Sequence, residues 1–259
     1  MGRAAQLSGF TVAVTGGQGT YEQVSWFARR GARVLVGPVV EVGAGAEPAG
    51  EGPHRGRDGA EVSSAVTLVD LICRGSVHAV TFAAGSSVKQ FMAAADGSRR
   101  GRNVLSALNR AIVVACPDRA CSAVAREEGI DRVLVPDDQS PGSMVGLVRD
   151  ELLSSRQRLL AGPNEIVLQG SAVLVDGWPV NLSDTERAVL TKLAEHPGAT
   201  VSRRVLLRHV WKDPSVGGEV LDRAVERLRD ELGPTGGAVE LAARRGYRFR
   251  AVRAPSKPR

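Results

Sequence analysis

The chain has 259 residues, of which 43% are hydrophobic and 24% charged, a composition that supports about two folded domains and excludes wholesale disorder. The net charge of +6 is unevenly placed: residues 200–259 hold 14 Lys/Arg against 7 Asp/Glu, and the remainder is close to neutral, so the C-terminal part carries either the footprint of a polyanion-binding surface or a solvated basic tail. No apolar run approaches the roughly 18 residues of a membrane span, and no signal-peptide core forms before Thr15-Gly16-Gly17, so no membrane is expected as a partner and a cytoplasmic protein is.

In chain order, residues 10–15 (FTVAVT) predict a short buried strand ended by Gly16-Gly17. Residues 21–30 predict a helix closed by Gly31, and residues 32–36 a second strand. Residues 43–64 interrupt this pattern with Gly, Ala, Glu and Pro and read as a flexible loop or linker. The alternation resumes with a helix at 65–74, a strand at 79–82, a helix at 86–95, and a loop holding Arg99, Arg100 and Arg102. A short helix around Val104, a strand at 111–116 and a helix at 119–128 capped by Asp118 follow. Residues 132–135 give a last strand, and 143–160 a long amphipathic helix. Continuous apolar strands interleaved with helices define a doubly wound α/β domain on a parallel sheet, residues 1–161.

Residues 162–259 follow a different grammar. The apolar runs 166–168 and 172–175, with the Asp176-Gly177 turn before Trp178-Pro179-Val180, predict a small antiparallel ribbon. Ser183-Asp184-Thr185-Glu186 is a capping box opening a helix with Val189, Leu190 and Leu193 on one face. A second helix follows Ser202. The third, residues 219–232, turns Leu221, Val225, Leu228 and Leu232 inward and leaves Arg223, Arg227 and Arg229 on other faces. Residues 239–249 (VELAARRGYRF) predict a hairpin with Arg244, Arg245 and Arg248 around Gly246-Tyr247.

Residues 166–250 resemble the winged-helix effector domain of OmpR-type response regulators, through "LSDTERAVLTKLAEHPGATVSRRVLLRHVW", "LDRAVERLRDEL" and "RRGYRF". The resemblance implies a winged helix-turn-helix domain whose third helix lies in the major groove of double-stranded DNA while the hairpin, the wing, touches the neighbouring minor groove or backbone. By position it assigns DNA contacts to Arg223, Arg227 and Arg229 on the helix and to Arg244, Arg245 and Arg248 on the wing. Glu231 and Ala243-Arg244 depart from the family pattern, so the family's site preference does not carry over. Tyr247 is read as a packed wing aromatic in preference to a base-stacking residue.

The region up to residue 160 resembles uroporphyrinogen-III synthase, through "LSGFTVAVT", "GARVLVGPVV", "VHAVTFAAGSSVKQFM" and "VACPDRACSAVAREEGI". The two resemblances together match fusion regulators of actinobacteria. The synthase family has two α/β domains and closes a linear tetrapyrrole in the cleft between them, without metal or cofactor. The linker 43–64 lies where one domain is inserted into the other, which implies that this chain keeps one domain. Ala83-Ala84, Asp118-Arg119 and Cys121 replace the family's Ser/Thr, Gly-Pro and Thr, and Asp118 puts a negative charge where a helix N-terminus would otherwise attract an anion.

Other motifs carry less. Gly16-Gly17-Gln18-Gly19 does not meet the dinucleotide fingerprint, and Cys116, Cys121, His54 and His78 have no metal-ligand spacing. No cofactor, metal or catalytic residue is expected. A phosphoacceptor receiver fails because the first strand ends in Thr15-Gly16 and the strand at 79–82 is followed by Ala83-Ala84. The expected function is a DNA-binding transcriptional regulator with a degenerate synthase-like domain for sensing or dimerisation. Double-stranded DNA is the partner, with a tetrapyrrole or other anionic small ligand and a homodimer as further readings. The alternatives are an active uroporphyrinogen-III synthase with an accessory DNA-binding domain, and an adaptor docking another regulator.

Overall fold

The computed structural model describes residues 4–16, 19–37, 54–55, 61–62, 64–138, 140–211, 217–242 and 245–255. Its chain divides into two units, one over residues 5–155 and one over residues 156–259 together with the first four residues.

The first unit runs β1 (Thr11–Val14), α1 (Thr20–Arg29), β2 (Arg33–Val36), β3 (His54–Arg55), β4 (Glu61–Val62), α2 (Ala65–Cys73) and β5 (Ala79–Thr81). It continues α3 (Gly85–Gly97), α4 (Gly101–Arg110), β6 (Val113–Ala115), α5 (Arg119–Glu127), β7 (Val133–Leu134) and α6 (Pro141–Ser154). The sheet order is β3-β4-β2-β1-β5-β6-β7, parallel throughout except for the β3–β4 pair. This is a doubly wound α/β fold whose strand order reverses between β1 and β5.

Both faces of the sheet are covered, which explains why its central strands β1, β5 and β6 read as nearly continuous apolar runs, with Thr11 and Thr81 as the polar exceptions. Side chains alternate across a strand. Ala13, Val80 and Val114 enter one core with Leu68, Phe91 and Leu108; Val12, Val14, Ala79 and Ala115 enter the other with Phe27, Val148 and Leu152. At the reversal, Thr15 Oγ1 accepts from the Ala83 N–H at 3.0 Å, and the buried Thr81 hydroxyl donates to Gln23 Oε1 at 2.9 Å. The residues leaving β1 and β5 there, Thr15 and Ala83-Ala84, bear no carboxylate.

Two expectations are corrected. Within residues 43–64, read as a linker, His54–Arg55 and Glu61–Val62 are strands extending the sheet past β2, and Ser64 caps α2; residues 43–53, 56–60 and 63 lie outside the described residues. The long helix expected at 143–160 ends at Ser154. Ser154 and Ser155 turn their hydroxyls onto the carbonyls of Glu151 and Leu152, each at 2.8 Å, and such bonds favour leaving a helix. The chain then forms β8 (Gln157–Ala161), so the first unit closes at Ser155, ahead of the expected boundary at 161.

The second unit continues with β9 (Asn164–Gln169), β10 (Ala172–Val175), β11 (Trp178–Val180), α7 (Asp184–Ala194), β12 (Thr200–Ser202) and α8 (Arg203–Val210). Then come α9 (Gly218–Glu231), a 3-10 turn (Gly233–Ala238), β13 (Val239–Ala242), β14 (Gly246–Phe249) and β15 (Val252–Arg253). The expected ribbon is one part of a five-stranded antiparallel sheet, β11-β10-β9-β8-β15; the hairpin β13–β14 forms a second sheet with β12. Asp176 and Gly177 both have positive φ, 53° and 82°, as a two-residue hairpin turn requires. The capping box is present: the Glu186 N–H donates to Ser183 Oγ at 3.3 Å and the Ser183 N–H to Glu186 Oε2 at 2.8 Å.

Candidate nucleic-acid interface

The candidate interface comprises α9 and the β13–β14 hairpin, which carry the arginines assigned from the sequence. Leu221, Ala224, Val225 and Leu228 are buried, and α9 packs on α7 and α8. Apolar residues at that spacing fill one side of a helix, so Arg223, Glu226, Arg227 and Asp230 face outward and are exposed. The Arg223 side chain is 69% exposed, with Glu219 one turn earlier at 3.9 Å; an exposed pair of that length holds the guanidinium weakly. Arg227 stands beside it with no ion pair among the described residues.

The structure separates Arg229 from these two. Its Nε donates to the Val239 carbonyl at 2.7 Å, and its guanidinium lies 6.0 Å from the centre of the Tyr247 ring. Arg229 therefore fastens the hairpin to the helix.

The wing arginines also differ from one another. Arg245 occupies the turn with its side chain exposed, while its N–H donates to the Ala242 carbonyl at 2.9 Å. Arg248 lies directly opposite Glu240 in the hairpin register, and its Nε and Nη2 reach Glu240 Oε2 at 2.8 and 2.6 Å. Arg250 adds a contact at 3.3 Å. The Arg248 hydrogen bond, above all, holds the Glu240 carboxyl below the usual carboxylate range. One carboxylate thus serves two arginines, and the wing is less positive than its sequence. Arg244 lies outside the described residues.

Sequence reasoning missed the cluster that joins helix to wing. The Tyr247 ring is buried, as a packed wing aromatic should be, and its hydroxyl donates to Asp222 Oδ1 at 2.5 Å. Arg203, the first residue of α8, reaches the same carboxylate at 2.7 Å and stacks 5.4 Å from the ring centre. Burial alone would raise the Asp222 carboxyl, but the hydrogen bonds from Arg203 and Tyr247 hold it below its ordinary value. Burial first, and then Asp222, push the Tyr247 hydroxyl up to about 12. The sequence signal was an aspartate in the first turns of a helix followed by an arginine-rich hairpin; their meeting needs the tertiary fold.

Among the described residues no group of three or more His, Cys, Asp or Glu could hold a metal ion, and no helix is long and apolar enough to cross a membrane.

Residues 177–249 match the family described as "Transcriptional regulatory protein, C terminal". The transcriptional regulatory protein CseB of Streptomyces avermitilis is 36% identical over 95 residues, 36% of this chain and 39% of that protein. PrrA of Mycobacterium bovis, also a transcriptional regulatory protein, is 36% identical over 97 residues, 37% of this chain and 42% of that protein. The chain thus spans about two fifths of the length of these curated relatives. Among solved structures, the DNA-binding domain of Bacillus subtilis CssR is 29% identical, covers 32% of this chain and 89% of its own, and has a TM-score of 0.26. The second unit therefore carries an OmpR-type winged-helix DNA-binding domain, within which α9 and the β13–β14 hairpin lie in the matched residues.

Proposed function

We propose that the chain is a transcriptional regulator that binds double-stranded DNA, setting α9 in the major groove and the wing beside it. The observation that carries this reading is the outward face of α9, where Arg223, held only by the long contact to Glu219, and Arg227, with no ion pair among the described residues, are exposed on a helix of a width the major groove admits. Arg245 at the wing turn supplies a further contact to the backbone, and Arg248 a weaker one because Glu240 already engages it. Arg244, next to Arg245 in sequence, is assigned to the wing as well. Homology to CseB and PrrA, both transcriptional regulatory proteins, supports the same reading.

The first unit is read as a synthase-like domain reduced to a single α/β body, serving ligand sensing or dimerisation, with a tetrapyrrole or another anionic molecule as ligand. Asp118 argues against catalysis there: its carboxylate accepts from the Cys121 N–H at 2.7 Å, so the N-terminus of α5 already holds a negative charge. A catalyst that works by enclosing a flexible substrate also needs a second wall. Two assays on the purified full chain test the whole reading. An electrophoretic shift on its own upstream DNA should show salt-sensitive binding, and hydroxymethylbilane should be cyclised no faster than the spontaneous background. Absence of binding at low salt overturns the regulator, and efficient turnover overturns the non-catalytic role.

A further inference from the structure

The outward face of α9 carries a carboxylate between its two exposed arginines, Arg223 and Arg227. Glu226 is exposed, three residues after Arg223 and one before Arg227, and no ion pair engages it among the described residues. At 1.5 Å of rise per residue, positions 223 to 227 span about 6 Å of helix axis, close to two base-pair steps of about 3.4 Å. A carboxylate in that place is repelled by the phosphates lining the groove, which weakens binding to every sequence alike. It favours a particular sequence only by accepting a hydrogen bond that some base pairs offer and others do not.

Base edges in the major groove narrow the choice. Guanine presents N7 and O6, both acceptors, and thymine presents O4 and a methyl group, so both reject a carboxylate. Adenine offers its N6 amino group beside the N7 acceptor, whereas cytosine offers its N4 amino group alone. We propose that Glu226 is a specificity-determining residue that accepts from the N4 amino group of a cytosine, so that a C·G pair is required at one position of the site. This rests on the DNA-binding reading above and deepens it. The carboxylate also lowers affinity for random DNA, where no amino group meets it; part of its contribution is rejection of wrong sites.

The test is selection from a random-sequence duplex library by the full chain, wild type against Glu226→Gln and Glu226→Ala, with circular dichroism to verify that the exposed substitutions leave the fold intact. The wild type should select cytosine at one position, and replacing that base should weaken binding about 5- to 150-fold. Glu226→Gln should move the preference there to adenine, whose N6 and N7 a carboxamide can engage together. Glu226→Ala should accept any base at that position and bind random DNA more tightly. If all three proteins select the same bases, or Glu226→Ala binds every DNA more weakly, the assignment to Glu226 is overturned while the DNA-binding reading stands. A wild type that binds every sequence alike overturns the assignment to Glu226, and one that binds no DNA even at low salt overturns the DNA-binding reading and this one with it.

Discussion

The Tyr247 hydroxyl donates to the Asp222 carboxylate at 2.5 Å, tying β14, the middle strand of its sheet, to the second turn of α9. Arg203 bonds the same carboxylate from α8, so one aspartate holds three elements, α8, α9 and β14, in fixed relation to one another.

Burial of the hydroxyl, and then its bond to Asp222, makes stability depend on alkaline pH. In the folded chain Tyr247 keeps its proton until about 12, against an ordinary value of 10.0. Between these values the unfolded chain has released the proton and the folded chain has not, so unfolding releases a proton and stability falls as pH rises through that window. Below 10 the contribution is fully present. Urea midpoints of wild type and Tyr247→Phe, measured from pH 8 to 12, should converge as pH rises. A constant gap between them would show that the hydroxyl does not titrate in this way.

The capping box offers a check confined to one helix. Ser183→Ala removes the acceptor of the Glu186 N–H at the start of α7, and loss of such a cap costs about 1 kcal/mol. DNA affinity should remain, because α7 presents its apolar residues to the core and none of the exposed arginines of the interface. Denaturant unfolding should show the lower midpoint, and an unchanged midpoint would mean that water replaces the serine without penalty.

This cap was legible in the sequence because it is written in four consecutive residues, and so were the Asp176-Gly177 turn and the inward stripe Leu221, Val225, Leu228 of α9. The end of α6 was not legible. Residues 156–161 continue an apolar pattern that suits a helix as well as a strand, and only pairing with β9 and β15 decides between them. For the same reason the sequence could not sort the arginines. Arg248 meets Glu240 only once the hairpin register is fixed, and Arg229 meets the Val239 carbonyl only once the chain has turned through Gly233–Ala238.

Gly246 is a position where no side chain fits. A Cβ there would stand 2.0 Å from the Val201 carbonyl oxygen and 2.8 Å from the Ser202 Cα, both backbone atoms of the paired strand β12. Backbone cannot turn aside as a flexible side chain can, so Gly246→Ala should separate β12 from β14 and destabilise the second unit by about 3 kcal/mol or more. Specific DNA binding should fall with it, since the strand carries Tyr247. A variant that melts like the wild type would overturn the close approach.

The arginines of the interface should divide into three kinds when each is replaced by alanine in the full chain. Arg223 and Arg227 face outward, and of the two only Arg223 has an ion pair among the described residues, the long exposed contact to Glu219, so their loss should leave unfolding midpoints nearly unchanged and weaken DNA binding. If Arg227 reads a base, the loss on the preferred site is about 1–3 kcal/mol and smaller on random DNA; if it meets a phosphate, both fall together and the slope of log affinity against log salt drops by about one. Arg229 should behave oppositely. Its removal leaves the buried Val239 carbonyl without a charged donor, a loss of about 1.5–3 kcal/mol of stability that falls on the fold before it falls on DNA. Arg248→Ala should do little to either, because the guanidinium is already shared with Glu240 at the surface, where such pairs contribute about 1 kcal/mol or less. Arg229→Ala with wild-type stability and a base-selective defect in binding would place that guanidinium in the groove and undo the division between the residues that touch DNA and those that hold the reading head together.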